Sequence, residues 1–255
     1  MDTDSGRTTD TTTAADDRLL VIWHDIECGG YDVDLPLWRE LAGRGDVLDV
    51  GAGTGRVSLH LAARGARVTA LDLHEPLLAA LREHAARLDL VIPTIAADAR
   101  AFDTGGARFD TVLVPMQTLQ LLGGAEARAR FLASARACLR PGGIVAAALA
   151  DALEAFDAEH TEPPLPDMRE LDGTVYCSRP VAVREHEHTV SIERIRETVD
   201  RAGHRTVAGD VLHLDRVTAA EFTAEGAALG LTALPPRAIP QTDEYVGSTV
   251  AMLRA

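Results

Sequence analysis

VLDVGAGTG, Val47 to Gly55, decides how the rest of the chain is read. A short apolar run enters a turn with glycines at 51, 53 and 55, and an amphipathic pattern begins straight after. Glycines at that junction let the backbone turn sharply and approach a ligand closely, with a helix N-terminus beside it. Working outward, residues 46–50 (DVLDV) predict a buried strand and 55–64 a helix. Residues 67–73 (RVTALDL) predict the next strand. Residues 75–90 predict a second helix with Leu77, Leu78, Leu81, Ala85 and Leu88 on one face. Strands at 91–97 and 109–115 follow, then a helix at 125–140 stopped by Pro141-Gly142-Gly143, then a strand at 144–149. Continuous apolar strands alternating with helices imply a parallel sheet covered on both faces, a doubly wound α/β domain.

The rhythm changes after Asp151. A Pro-rich segment, EPPLPD (162–167), precedes three β-like stretches at 174–184, 189–199 and 205–214, with turn signals at Asp172-Gly173 and Ala202-Gly203. Connections this short imply antiparallel pairing. Thr218 with Glu221 three residues on is a capping box opening a last helix. Residues 231–234 and 245–253 predict two closing strands, which makes seven in the main sheet. Residues 1–17 are rich in Thr and Asp and predict a disordered tail, and 18–45 an N-terminal helical segment. The domain proper is expected over 46–160 and 218–255, with the antiparallel insertion over 161–217.

Composition narrows the function. The chain has 255 residues, 25 Lys+Arg against 39 Asp+Glu, and a formal net charge of −14. A general nucleic-acid binder needs clustered cations for phosphates, so nucleic acid is not an expected partner. No run approaches the roughly 20 apolar residues of a membrane span, and no basic-plus-apolar leader is visible, so the expected address is cytoplasmic. The three cysteines, Cys28, Cys138 and Cys177, are far apart and suit a reducing compartment. HEH at His186-Glu187-His188 lacks the partners of a metal motif, and no metal is expected.

The chemistry gathers at three consecutive strand ends. The first carries the glycine turn, the second Asp72 and the third Asp98. Such ends surround the ligand crevice of a doubly wound sheet, and an acidic residue about 20 positions after the glycines suits ribose hydroxyls. Taken alone, either carboxylate could instead cap a helix or sit in a solvated loop. A dinucleotide fingerprint needs a glycine at position 56, where this chain has Arg56; the run reads Asp49-x-Gly51-x-Gly53-x-Gly55.

That spacing resembles the first motif of class I S-adenosylmethionine-dependent methyltransferases. The resemblance extends from about Asp46 to Ala150 through VTALDLH, AADAR, FDTVLVPMQ and LRPGGIV. It implies a Rossmann-like fold and S-adenosylmethionine as cofactor, converted to S-adenosylhomocysteine. By it, Gly51, Ala52, Gly53 and Gly55 form the loop at the methionyl and ribose groups, and Asp72, with Leu73 beside it, holds the ribose. Asp98 and Ala99 meet the adenine, Pro115 belongs to the cofactor site, and Asp49 orients the loop or the cofactor's amino group. The insertion looks like the antiparallel lid of small-molecule methyltransferases.

Pro115-Met116-Gln117-Thr118 replaces the D/N-P-P-Y/F/W run of amino methyltransferases of DNA, which speaks against a nucleic-acid substrate. By the lid's resemblance the acceptor is a small molecule, expected on nitrogen or oxygen, although the sequence itself does not choose among nitrogen, oxygen and carbon. Met116, Gln117 and His188 are the expected acceptor contacts. His186, His213 and Tyr31 are the candidate catalytic residues, with His24 a weaker one. A solvated sheet face is the competing, and preferred, reading of the three lid histidines. Methyl transfer is an in-line displacement for which positioning can supply about 7–11 kcal/mol, so no triad is required. A nicotinamide-dependent oxidoreductase and a non-catalytic cofactor-binding protein are the alternatives, and a homodimer through the exposed lid is possible.

Overall fold

The computed structural model describes residues 7–151, 153–242 and 245–255. A helix, α1 (Arg7–Cys28), and a short α2 (Leu35–Ala42) precede the sheet. Then come β1 (Asp46–Val50), α3 (Arg56–Ala62), β2 (Arg67–Asp72), α4 (Glu75–Arg87), β3 (Thr94–Ala96) and β4 (Phe109–Val114). A 3₁₀ turn (Thr118–Leu121), α5 (Ala125–Cys138) and β5 (Leu139–Leu149) complete the doubly wound half. The inserted strands are β6 (Phe156–Asp157), β7 (Asp167–Leu171), β8 (Thr174–Glu185), β9 (Thr189–Val199) and β10 (Arg205–Asp215). The chain returns to the first sheet through α6 (Ala219–Ala228), β11 (Thr232–Ile239) and β12 (Ser248–Arg254).

The main sheet has seven strands in the order β11-β12-β5-β4-β1-β2-β3. Strands β1 to β5 pair in parallel, while β12 pairs antiparallel with both β5 and β11. This is the Rossmann-like, mostly parallel seven-stranded sheet that the alternation of elements predicted. Period-two alternation divides its two faces. Leu48, Val50, Val112 and Val114 pack with Phe131 of α5 and Phe222 of α6, and Val47, Val68 and Leu113 pack with Trp38 of α2 and Leu81 of α4. The Thr218–Glu221 capping box forms as read. Because β1 and β4 adjoin at the point where strand order reverses, their C-terminal ends open the crevice in which ligands of this architecture bind.

The inserted strands form a second, antiparallel sheet in the order β10-β9-β8-β6, with β7 also on β8. Its three long strands lie almost where alternation placed them; the short β6 and β7 were not expected. The N-terminus differs from expectation. A disordered tail was expected to Asp17, but α1 already runs from Arg7, and residues 1–6 of that tail lie outside the described residues. Thr and Asp are weak helix formers, so sequence periodicity there is faint. The helix is fixed by its C-terminal half, where Ile22, Trp23 and Ile26 pack on Tyr176 of β8, with Trp23 and Tyr176 edge-to-face at 5.5 Å. Among the described residues, no helix is long and apolar enough to cross a membrane.

Candidate functional site

A cavity of about 510 Å³ lies at the C-terminal ends of β1, β2 and β4, with α1 at its side and the inner face of β9 and β10 above. Its floor follows from the glycine loop. Gly51, Gly53 and Gly55 all take positive φ, and the Gly51 and Ala52 N–H groups donate to the Leu71 carbonyl at 2.8 and 3.0 Å. A Cβ on Gly51 would lie 2.4 Å from Thr118, and one on Gly53 would lie 2.1 Å from His24 Nε2. Only glycine admits both the backbone angles and this closeness.

Asp49, the penultimate residue of β1, is buried beneath the loop. Its Oδ2 accepts from Ser58 Oγ at 2.6 Å, while Oδ1 is buried without a partner. Burial pushes the carboxyl up to about 6 despite the Ser58 bond and nearby Arg56. Asp72 is also buried, and each oxygen accepts one backbone bond, from Gly53 N and from His74 N, each at 2.9 Å, which leaves further lone pairs for a ligand. It therefore ties the glycine loop to the start of α4 while still lining the cavity. Asp98 is half-exposed and accepts from the Arg100 backbone at 2.8 Å and from its Nε and Nη2 at 2.9 and 2.5 Å. Those bonds hold its carboxyl below the usual range.

Asp49, Gly51, Ala52, Asp72, Leu73, Asp98, Ala99, Pro115, Met116 and Gln117 all line this one cavity. Gly53 and Gly55 shape the loop from outside the lining: His24 covers Gly53, and Gly55 lets α3 approach Leu81 of α4. Met116 has φ 54°, a left-handed backbone that a long side chain rarely adopts, at the tip of β4.

The remaining candidates lie elsewhere. His186 and His188 sit at the exposed β8–β9 turn, with His186 Nε2 3.1 Å from Ser191 Oγ. His213 is exposed on the face of β10 opposite Leu212, and it is Leu212 that lines the cavity. None of the three histidines lines it. Alternation gave the strands two faces, and the other one turned inward. Tyr31 is buried outside the cavity, stacked under Arg56 at 5.0 Å and against Tyr245 at 4.9 Å, where burial raises its phenol to about 12. Arg56 itself makes a bidentate pair with buried Asp34 (2.5 and 2.8 Å), which also accepts from Trp38 Nε1 at 2.7 Å.

The structure adds residues that the sequence did not single out. From α1 come Glu27 and Cys28, beside His24; from β9 and β10 come Ile192, Arg194, Arg196, Asp210 and Leu212. Burial lowers the His24 imidazole below its usual value, and its Nδ1 lies 3.2 Å from Thr54 Oγ1. Glu27 accepts from Arg196 at 2.7 and 2.8 Å and from Ser178 Oγ at 2.7 Å. Burial pushes its carboxyl up, but these bonds outweigh it and leave it below the usual value. The alternation Ile192-x-Arg194-x-Arg196 was the available signal, since a strand carries such a set on one face.

Comparison with known proteins agrees with this geometry. Residues 47–143 match the family described as a methyltransferase domain. A cypemycin N-terminal methyltransferase of a Streptomyces species is 38% identical over 105 residues, a match that spans 41% of each protein. CalS10 of Micromonospora echinaspora, an amino pentose methyltransferase with bound S-adenosylmethionine, has the same fold over the full length of both chains, with TM-score 0.66 and 22% identity. The glycopeptide N-methyltransferase MtfA, in complex with S-adenosylhomocysteine, matches with TM-score 0.59 and 25% identity over 86% of each chain.

Proposed function

We propose that this chain, whose residues 47–143 belong to the methyltransferase domain family, is a class I S-adenosylmethionine-dependent methyltransferase that modifies a nitrogen of a small molecule. The observation that carries the reading is the cavity floor. A buried carboxylate oxygen on Asp49 lacks a partner, beneath a glycine loop that Asp72 holds in place. A buried unpaired acceptor is costly and invites a donor. The cofactor's ammonium and ribose hydroxyls are donors for Asp49 and Asp72, and Leu73, Ala99 and Pro115 offer apolar surface to the adenine. Asp98 meets the base only while sharing its oxygens with Arg100.

When bound, S-adenosylmethionine supplies a methyl group made electrophilic by the adjoining sulfonium. The protein's task is to aim the acceptor lone pair and exclude water, which needs few chemical groups. Met116 and Gln117 form the wall at the β4 tip, and Ile192 and Leu212 form an apolar roof. His24, whose imidazole burial holds below its usual value, is fastened over the loop through Thr54 and positions the floor. A hydroxyl acceptor would require a base at the acceptor: His186 and His213 face away from the cavity, while of the groups that line it His24 is held by Thr54 over the glycine loop and Glu27 and Asp210 are bound by Arg196. An amine needs only its neutral form. MtfA is by its title an N-methyltransferase and the cypemycin enzyme by its name acts at an N-terminus, which supports the assignment. A homodimer is part of the proposal: β10 is the lid's edge strand and exposes Val207 and Val211, which pairing of two copies would cover.

Thermal-shift titration with S-adenosylhomocysteine, S-adenosylmethionine and NADH in parallel tests the cofactor. Ligand at about 100 times its dissociation constant adds roughly 2.7 kcal/mol. A shift with the adenosyl ligands alone is expected; a shift with NADH alone would overturn the reading in favour of hydride transfer. Mass gain of 14 Da per methyl in an amine screen then separates an enzyme from a silent binder. Sedimentation of the full chain reads the dimer.

A further inference from the structure

Four arginines line the cavity, and three of them are held by a carboxylate at short distance. Arg56 is clamped by Asp34 and the Tyr31 carbonyl at 2.5 to 2.8 Å, Arg100 by Asp98, and Arg196 by Glu27 and, at 3.1 Å, by Asp210. Arg194 differs. Its hydrogen bonds both leave from Nη1, to Asp167 Oδ2 and Ser178 Oγ, and both are 3.4 Å long. Hydrogen bonds of that length are weak, and charge-assisted ones normally close to about 2.7–2.9 Å. The side chain is only 21% exposed and lines the cavity between Ile192 and Arg196 on the same face of β9. A partly desolvated guanidinium with half its fork unused is a receptor for a planar or tetrahedral oxyanion.

Of the carboxylates around Arg194, Glu27 and Asp210 are bound by Arg196 rather than by Arg194. Asp210 stands opposite Arg194 in the β9–β10 register, but its Oδ1 accepts from Arg196, which Glu27 also clamps. Asp167 shares Arg194 only at the long distance already given, and the roof grades from apolar at Ile192 and Leu212 to polar at Arg194.

We infer that Arg194 is the acceptor-anchoring residue, and that the methyl acceptor is an amine carrying an oxyanion, a carboxylate or a phosphate, which seats on its guanidinium. The inference rests on the methyltransferase reading for the word acceptor, but the anion site itself does not. Inorganic phosphate and malonate, the probes for the two sources, are titrated into the full chain saturated with S-adenosylhomocysteine, at constant ionic strength. The readout is the arginine Nε–Hε resonances. Saturable binding is expected, weakened about ten- to hundredfold in Arg194→Gln, and by less in Arg194→Lys, which keeps the charge but loses the fork. The stronger probe identifies the source. Absence of saturable binding, or equal binding by Arg194→Gln, overturns the inference and leaves Arg194 as a loose ion pair of the lid. Among amines found to gain a methyl, the oxyanion-bearing member of each matched pair is expected to have at least a roughly tenfold higher kcat/KM. Arg194→Gln should remove that advantage through KM rather than kcat; equal values for the matched pair overturn it. Failure of the chain to bind S-adenosylhomocysteine at all would remove the methyltransferase reading instead, and the anion titration, repeated without it, would still decide the site.

Discussion

Asp49 and Asp72 are both buried carboxylates at the same loop, yet physics sets them opposite tasks. Asp72 spends each oxygen on a backbone N–H, so its charge is compensated before any ligand arrives. Asp72→Asn replaces one acceptor oxygen by a donor facing a backbone N–H. Affinity for S-adenosylhomocysteine, measured calorimetrically, is expected to fall about ten- to hundredfold, and an unchanged affinity would sink the ribose assignment. Asp49 is left with a bare oxygen and a carboxyl raised to about 6. Between the ordinary carboxylate value and 6 the folded protein binds more protons than the unfolded one. The sign is therefore that Asp49's contribution to stability is lost as pH rises through that window. Asp49→Asn should raise the Tm of the ligand-free protein at pH 7 by several degrees, with little change at pH 4. A bound ammonium prefers the ionised carboxylate, so wild-type affinity for S-adenosylhomocysteine should rise from pH 5 to about 6 and then level. In Asp49→Asn that rise should vanish and affinity at pH 7 should drop. A pH rise that persists in the variant would show that another group carries it.

At the scale of elements, α2 fixes the loop without supplying chemistry. It does so through Asp34, the residue before its first turn, which is fully buried, clamps Arg56 at the start of α3 and takes the Trp38 N–H. Removing one member of a buried pair strands the other, so Asp34→Ala should cost about 3–5 kcal/mol in denaturant unfolding. A loss under 1 kcal/mol would mean that water reaches Arg56. What was legible in the sequence at this scale divides on the same physical line. The glycine loop, Asp72 and Asp98 could be placed because each follows its strand within a few residues, so local order fixes position. The three long lid strands could be placed because alternation and turn residues are local too. The face that each lid strand turns toward the cavity is set by how the sheet docks on α1 and the main domain. That is why His213 was a candidate and Arg194 was not. The start of α1 was missed for the same reason: its helical state follows from Trp23 and Ile26 finding Tyr176 far along the chain.

On the scale of the whole molecule, the lid is held to the domain at both ends of the cavity. At one end Glu27 of α1 binds Arg196 and Ser178, with Arg196 5.5 Å above Trp23. At the other, Asp215 at the end of β10 accepts from Gly124 N at 2.5 Å and Arg128 Nη1 at 2.9 Å, and its carbonyl accepts from Gln120 Nε2 at 3.0 Å. Arg128, nearly buried, also grips Glu225 of α6 at 2.7 Å. A ligand on the floor lies under α1 and β9, so it binds only the docked arrangement and must stabilise lid and floor together. Hydrogen exchange should therefore show S-adenosylhomocysteine protecting amides of α1, β8 and β9 as well as those of the glycine loop, with little change in β11. Glu27→Ala breaks one fastening and leaves Arg196 with Asp210 alone. In that variant the lid amides should exchange faster without ligand, and affinity for S-adenosylhomocysteine should fall because binding must now also dock the lid. Faster exchange with unaltered affinity would mean that the floor binds independently of its roof. Protection confined to the glycine loop in the wild type would carry the same meaning, and would move the closure of this cavity from the lid to the acceptor itself.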